Sequence, residues 1–172
     1  MFRRQLLKRG GALAGGGIVL SGTVAARDDG ELPNGNVPVS RVHVFGSRED
    51  PLEVSMGDWV KHTVGWIDGE GGDSTREDVQ RWLDAKEYSA WIDGEPVPDA
   101  DERYTEPYFR DDDRTGWVSS WKYTTPPKQP GLHTWRSQWH YPDGFSDGQF
   151  TIPAGHRAEL VSFYEVVQDS NR

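Results

Sequence analysis

Large aromatic side chains alternate with polar ones along two segments in the second half of the chain, and this period of two constrains the fold more than any other feature. Trp117 and Trp121 share one side of the first segment, and Trp135 and Trp139 share one side of the second. Successive side chains of a β-strand point to opposite faces of its sheet. The pattern therefore predicts two strands, each with one aromatic face and one polar face.

Shorter alternating segments and turn signals account for most of residues 39–168. They indicate roughly seven or eight short strands separated by turns, a pattern typical of a β-sandwich. The pair Asp93-Gly94 between two such segments favours a tight hairpin. We therefore predict a mainly β fold, an antiparallel β-sandwich, over residues 39–168, preceded by a flexible linker over residues 27–38.

One segment carries a helical signal instead. Ser74 followed by Glu77 fits a capping box, and Val79, Trp82 and Leu83 repeat at helical spacing. The sequence predicts one short helix of about ten residues here.

The segment from residue 123 to residue 134 contains three prolines and a Pro-Gly turn before the next strand. It resembles a strand-loop-strand element of immunoglobulin-like exported domains, in which a Pro-Gly turn leads into a strand that begins with small or polar residues. The resemblance implies an immunoglobulin-like sandwich that tolerates a short helical insertion. It implies no particular activity.

The paired tryptophans Trp117, Trp121, Trp135 and Trp139 have two interpretations. Rows of coplanar indoles on exported β-sandwiches can stack against sugar rings, which would make these four residues a ligand-binding surface. The same rows can form the inner faces of the sandwich, and the polar residues opposite them favour this core interpretation. Three further tryptophans in similar alternation are expected in the core as well: Trp59, Trp66 and Trp91.

The first 26 residues form a basic segment, a Gly/Ala-rich apolar stretch and a small-residue end at Val24-Ala25-Ala26. These are the three parts of a secretory signal, and the apolar stretch is shorter than the roughly 20 residues of a membrane span. Arg3-Arg4-Gln5-Leu6-Leu7-Lys8 resembles the twin-arginine motif, with an ordinary secretory signal as the alternative. The resemblance implies export in the folded state, to the cell surface or beyond, and the sequence predicts no membrane anchor.

The chain is strongly acidic, with a net charge of −9 and no cysteine. Cleavage after Ala26 would remove four basic and no acidic residues, which gives −13. Such a charge argues against nucleic acid as a partner, since phosphate binding needs a basic patch. Scarce lysine, abundant aspartate and the leader together resemble exported proteins of halophilic archaea, in which salt screens the self-repulsion. An acidic bacterial exoprotein is the alternative.

Acidic loops supply oxygen ligands of the kind that Ca²⁺ binds. They are residues 111–113 with Gly116, residues 99–102, and Asp143 with Asp147. None has the spacing of an EF-hand loop. We therefore expect no cofactor, with Ca²⁺ as the one alternative.

The sequence offers little support for catalysis. The chain has no closely spaced histidine pair, and it has too many acids for spacing to select a catalytic pair. The sequence therefore favours a non-catalytic interaction domain with an unknown protein or glycan partner. A carbohydrate-binding protein that uses exposed tryptophans and a small carboxylate-dependent hydrolase are the alternatives.

Overall fold

A computed structural model describes residues 37–43, 46–67, 75–111, 116–148 and 151–168. The predicted signal peptide and nearly all of the predicted linker lie outside the described residues. In chain order, the elements are β1 (Val39–His43), β2 (Leu52–Ser55), β3 (Trp59–Ile67), α1 (Arg76–Ala85), β4 (Glu87–Ile92), β5 (Glu95–Pro96), a 3₁₀ turn (Ala100–Arg103), β6 (Tyr108–Arg110), β7 (Gly116–Thr125), β8 (Gly131–Tyr141), β9 (Phe145–Ser146), β10 (Thr151–Ile152) and β11 (His156–Val167).

The strands form two main sheets that pack as a sandwich. The four-stranded sheet has the order β1-β3-β7-β6, and the five-stranded sheet has the order β2-β11-β8-β4-β5. A small separate ribbon pairs β9 with β10. The predicted mainly β sandwich with one short helix is thus confirmed.

The prediction that every strand pair is antiparallel is wrong at two edges. β1 runs parallel to β3, and β2 runs parallel to β11. The chain crosses from one sheet to the other between β1 and β2, so each of these strands joins an edge without a hairpin connection to its neighbour. β7 and β8, which the Pro-rich segment connects, also lie in different sheets. The immunoglobulin-like connectivity stays a prediction.

Helix α1 begins one residue later than the sequence signal placed it. Thr75 is the N-cap: its hydroxyl accepts from the Asp78 N–H at 3.2 Å, and the Asp78 carboxylate accepts from the Thr75 N–H at 2.9 Å. Asp78 is thus the third helical residue of the capping box, the position that the sequence predicted for Glu77. Val79 and Trp82 form the buried side of the helix, as predicted.

The Asp93-Gly94 hairpin is confirmed, with φ values of 53° and 84° at its two central residues. Positive φ at both positions defines the type I′ turn that fits the twist of a hairpin. Residues 98–111, which show no clear alternation in the sequence, contain the 3₁₀ turn and strand β6. β6 pairs with β7 at the edge of the four-stranded sheet.

The core lies between the sheets and is mostly aromatic. Trp121 of β7 stacks on Trp135 of β8, with ring centroids 5.6 Å apart and planes inclined by 19°. Both indoles are almost fully buried, at 0% and 1% exposure. A direct indole stack between strands of opposite sheets fixes the spacing of the sandwich at its centre, since aromatic pairs add stabilisation beyond their buried area.

Candidate functional site

The four tryptophans proposed as a ligand-binding surface do not form one. Trp121, Trp135 and Trp139 are buried in the core, at 0%, 1% and 7% exposure. Trp117 is half-buried at the end of the four-stranded sheet, where its ring meets Phe109 edge to face at 5.7 Å. A buried indole has no free face for a sugar, so the core interpretation accounts for three of the four.

A network of ring contacts and hydrogen bonds holds these core rings. Tyr88 contacts Trp121, Trp139 and Tyr104, with centroids 5.2–5.3 Å apart. The Trp139 indole N–H donates to the Tyr104 hydroxyl at 3.0 Å. Burial raises the pKa of Tyr88 and of Tyr104, so both phenols stay protonated. The network explains why the chain needs so many tryptophans without assigning them to a ligand.

Two of the three tryptophans expected in the core lie on outer faces instead. Trp91 shares the outer side of β4 with Ser89, whereas Tyr88, Ala90 and Ile92 point inward and are buried. Trp59 likewise lies on the outer side of β3 and is half-buried. The side chain of Trp66 lies outside the described residues.

The outer face of the five-stranded sheet carries the most distinctive group on the surface. The register aligns Trp91 of β4, Arg136 of β8 and Val161 of β11 in one row across the sheet. The Arg136 guanidinium stacks over the Trp91 ring, with its central carbon 3.7 Å from the ring centroid. Stacking of this kind is a favourable cation–π contact that leaves the edge of the guanidinium available for hydrogen bonds.

Arg136 has no carboxylate partner among the described residues. Its guanidinium makes neither an ion pair nor a hydrogen bond there, and its buried Nε atom is also without a partner. Buried polar groups in folded proteins are generally hydrogen-bonded, so an exception calls for a functional or structural explanation. In a chain with net charge −9, an arginine that pairs with an indole and no acid is a candidate binding group.

Two polar rows continue from the Trp91 row along the same face, each about 7 Å further on. The first row contains Ser89, Gln138 and Glu159, and the second contains Glu87, His140 and Arg157. The Gln138 amide donates weakly to the Glu159 carboxylate at 3.4 Å, and a His140 ring nitrogen lies 2.7 Å from the Glu87 carboxylate. The face thus presents planar side chains that both donate and accept hydrogen bonds.

No described element covers this face. Ser89, Glu159 and Arg157 are exposed, and Val161 is 44% exposed. A depression of about 310 Å³ opens beside it, between the outer side of β4 and the segment after β5. Residues 88–91 of β4, residues 96–97 and residues 99–102 line the depression. Trp91 therefore belongs both to the open face and to the lining of the depression.

The outer face of the four-stranded sheet is also polar, and most of its cationic groups interact with other residues. Lys122 is the register partner of Thr63, which bonds to the His43 ring at 3.0 Å. His43, Lys61 and Lys122 all interact with further residues. Arg41, the register partner of Lys61, is exposed. Among the described residues of this face, no arginine stacks on an indole as Arg136 does.

Asp101, one of the predicted calcium ligands, has a structural role. Its carboxylate contacts the buried ammonium of Lys86 at 2.5 Å and accepts from the Tyr88 N–H at 3.1 Å. The same ammonium lies 4.1 Å from the centroid of Tyr104. In the part of the chain that the structure describes, no three His, Asp or Glu side chains converge as a metal site. Asp112 and Asp113 lie outside that part.

The histidines occupy separate positions, and one of them is part of the core. His133 and His140 point to opposite sides of β8, as the sequence predicted. His62 is fully buried between Trp135 and Tyr164, with ring centroids 5.3 and 5.5 Å away. Burial lowers the pKa of His62 to about 3. The ring is therefore neutral and serves as part of the core.

A further polar cluster, partly exposed, surrounds the Asp93 turn. The Asp93 carboxylate lies 3.0 Å from each of the Lys128 ammonium, the His133 ring and the Thr134 N–H. Burial raises the pKa of Asp93, but these hydrogen bonds outweigh it and the net pKa is lowered. The cluster joins the hairpin turn to the loop before β8, and it gives no indication of a bound ligand.

Comparisons with protein-family models, with curated proteins and with solved structures found no match for this chain. Within the described ranges, no helix is long and apolar enough to cross a membrane. The function is therefore inferred from the geometry of the Trp91–Arg136 pair and its face.

Sequence reasoning missed this pair, although a signal for it exists. Alternation in β4 places Trp91 with Ser89 and opposite three apolar residues, and alternation in β8 places Arg136 opposite Trp135. Both residues therefore belong to the outer face of their strands. What the sequence could not provide was the pairing of β4 with β8 in a register that brings Trp91 next to Arg136.

Proposed function

We propose that this chain is an exported, non-catalytic binding domain of the cell surface or extracellular space, and that it binds its ligand with the outer face of the five-stranded sheet. The proposal rests on one observation: the Arg136 guanidinium is held by Trp91 on an open face and has no acceptor among the described residues. The twin-arginine-type leader supports export, and no catalytic constellation in the sequence favours chemistry over binding.

The architecture suits this role. A flat sheet face supported by a stacked aromatic core is rigid, so a ligand that binds there orders few side chains. Trp91 and Arg136 are also the residue types that contribute most to binding at interfaces. A hydrolase would need free carboxylates in the neighbouring depression. One of the carboxylates there, that of Asp101, is already bound to Lys86 and Tyr88.

The experiment uses the absence of native cysteine. A single cysteine replaces Glu77 on the exposed side of helix α1, and a fluorophore is attached there. Labelled protein is then titrated onto washed cells of the organism that encodes it. We expect saturable binding that the double variant Trp91→Ser, Arg136→Gln weakens at least tenfold, because it removes both central groups of the face.

The matched control removes the same residue types from the other sheet. Trp59→Ser with Arg41→Gln changes an outer-facing tryptophan and an exposed arginine of the four-stranded sheet. This variant is expected to bind as the wild type does. Equal loss in both double variants would show that another property, such as net charge, governs binding. Absence of saturable binding by the wild type would refute the role at the cell surface.

A further inference from the structure

We infer that the ligand is an acidic saccharide whose carboxylate is bound by Arg136 while its hydroxyls meet the neighbouring polar rows. This inference rests on the proposed function, since it names the ligand of the same face. Three observations carry it: the free edge of the guanidinium, the lack of an acidic partner for it among the described residues, and the polar side chains beside it.

The guanidinium is prepared for a carboxylate. A planar fork of N–H donors matches a carboxylate with two parallel hydrogen bonds. The Trp91 ring positions that fork, since the central guanidinium carbon lies over the ring, 3.7 Å from its centroid. Because the stacking restricts the rotation of Arg136, less conformational entropy is lost when a ligand binds. A lysine at this position would supply charge without the fork.

The surrounding charges disfavour a ligand that offers only carboxylates to this face. Glu159 and Glu87 lie on the same face as Arg136, in the next two rows, and Arg157 shares the row of Glu87. Side chains of an extended peptide alternate between two sides, so an acidic peptide would present a carboxylate to the face about every 7 Å, which is the spacing of the rows. Its second and third carboxylates would therefore lie in the rows of Glu159 and Glu87. A uronic-acid chain carries one carboxylate per sugar among neutral hydroxyls, so it can offer hydroxyls to these glutamates.

The groups next to Arg136 match hydroxyls. Ser89, Gln138 and His140 offer both donors and acceptors; Ser89 and Gln138 lie side by side in one row, and His140 lies in the next. The adjoining depression of about 310 Å³ is lined by Trp91 together with Asp99 and Glu102. This volume is at the lower end of small-molecule pockets, roughly 300–1,000 Å³. An indole together with hydrogen-bond acceptors suits a sugar ring.

The test compares three soluble probes by calorimetric titration of the purified protein: polygalacturonate oligomers, the same oligomers with every carboxylate methyl-esterified, and poly-glutamate of similar length. We expect the acid oligomer to bind at least about tenfold more tightly than its ester, as the loss of a charge-assisted hydrogen bond implies. This comparison needs no variant, so it does not depend on how a substitution folds.

Variants then assign the preference to Arg136. Arg136→Gln is expected to remove the difference between acid and ester, and Arg136→Lys to remove most of it, because lysine lacks the fork. Arg81→Gln removes the same charge from the exposed surface of helix α1 and serves as the control. Binding should not weaken as salt rises from low to molar, since the rest of the acidic protein repels the oligomer and salt screens that repulsion.

The outcomes separate the two proposals. Equal binding of acid and ester that Trp91→Ser abolishes would keep the binding face and overturn the carboxylate inference. Tighter binding of poly-glutamate, dependent on Arg136, would keep the face and overturn the saccharide. No binding of polygalacturonate at millimolar sugar would overturn the inference, whereas the titration on cells decides the proposed function independently.

Discussion

The buried histidine makes the stability of this domain sensitive to mild acid. His62 lies at 0% exposure between Trp135 and Tyr164, and its nearest hydrogen-bonding group is the Thr125 hydroxyl at the long distance of 3.5 Å. Burial is the main cause that lowers the pKa of His62 to about 3; the charge of the nearby Lys128 acts in the same direction, and that of Asp93 opposes it. In the unfolded chain the same imidazole takes up its proton near pH 6.5.

The sign and size of the effect follow from proton linkage. Between pH 6.5 and pH 3 the unfolded state binds a proton that the folded state excludes, so stability decreases as the pH falls through this window. With the folded pKa near 3, the free energy of unfolding at pH 5 is about 2 kcal/mol below its value at pH 7 through this residue alone, and the loss approaches about 5 kcal/mol below pH 3. Above pH 7 the contribution is constant.

The assay measures denaturant unfolding at pH 7, 6 and 5 at constant ionic strength, for the wild type and for His62→Leu. The carboxylates of this acidic chain titrate in both proteins, so the difference between the two isolates His62. We expect that difference to change by about 2 kcal/mol between pH 7 and pH 5. His140→Gln, at a half-buried histidine on the outer face, is the control.

A difference that stays constant within about 0.5 kcal/mol from pH 7 to pH 5 would refute the reasoning, because a histidine that charges in the folded state has no linkage to unfolding. If His62→Leu does not fold, the ring resonances of His62 in the wild type give the same information. They should not shift between pH 7 and pH 4.5, and a titration with a midpoint near pH 6.5 would contradict a buried neutral ring.

Two further predictions concern the Lys86 pair and the outer-face indole. Lys86 has only 2% of its side chain exposed, and burial lowers its pKa against the opposing effect of Asp101. Asp101→Asn should therefore lower the free energy of unfolding by about 2 kcal/mol, because the buried ammonium loses its counter-ion. Lys86→Met removes the charge itself and should change the free energy of unfolding by less than about 1 kcal/mol. A larger loss for Lys86→Met than for Asp101→Asn in denaturant unfolding would contradict this. Trp91→Phe should reduce the acrylamide-quenchable fraction of tryptophan emission and Trp121→Phe should not, because Trp91 is partly exposed whereas Trp121 is fully buried. Equal quenching in both variants would place Trp91 in the core.

The face of the strand on which each side chain lies was largely predictable from the sequence. Alternation correctly assigned Trp121 to the same side as Tyr123, Trp135 to the same side as Trp139, and His62 to the same side as Val60. These strands are long, and their two sides differ clearly in polarity. One face of each must therefore be buried, and a slip of one residue would exchange the two faces.

Pairing across the sandwich was not predictable in the same way. Nothing in Val39–His43 or Leu52–Ser55 distinguishes a parallel edge from an antiparallel one, because both pairings present the same side chains to the core. The missed strand β6 is only three residues long, and its Tyr108 and Phe109 are 38% and 54% exposed. Short edge strands with little burial leave almost no periodic signal.

The candidate site illustrates why composition is a weaker guide than position. The eight tryptophans suggested an aromatic surface, and their regular pairs along two strands suggested its location. Regular pairing is instead typical of the core, because the two tryptophans of a pair lie on the same face of a strand and that face is buried. Trp91, the indole proposed to contact the ligand, lies on the polar side of its strand: it shares a face with Ser89 and lies opposite three apolar residues. A large apolar side chain on the polar side of a strand gains stability by packing against something on that side. For Trp91 that partner is Arg136, which has no acidic partner among the described residues and lies on an open face. A binding group is therefore expected where a large apolar side chain lies on the outward, polar face of a strand.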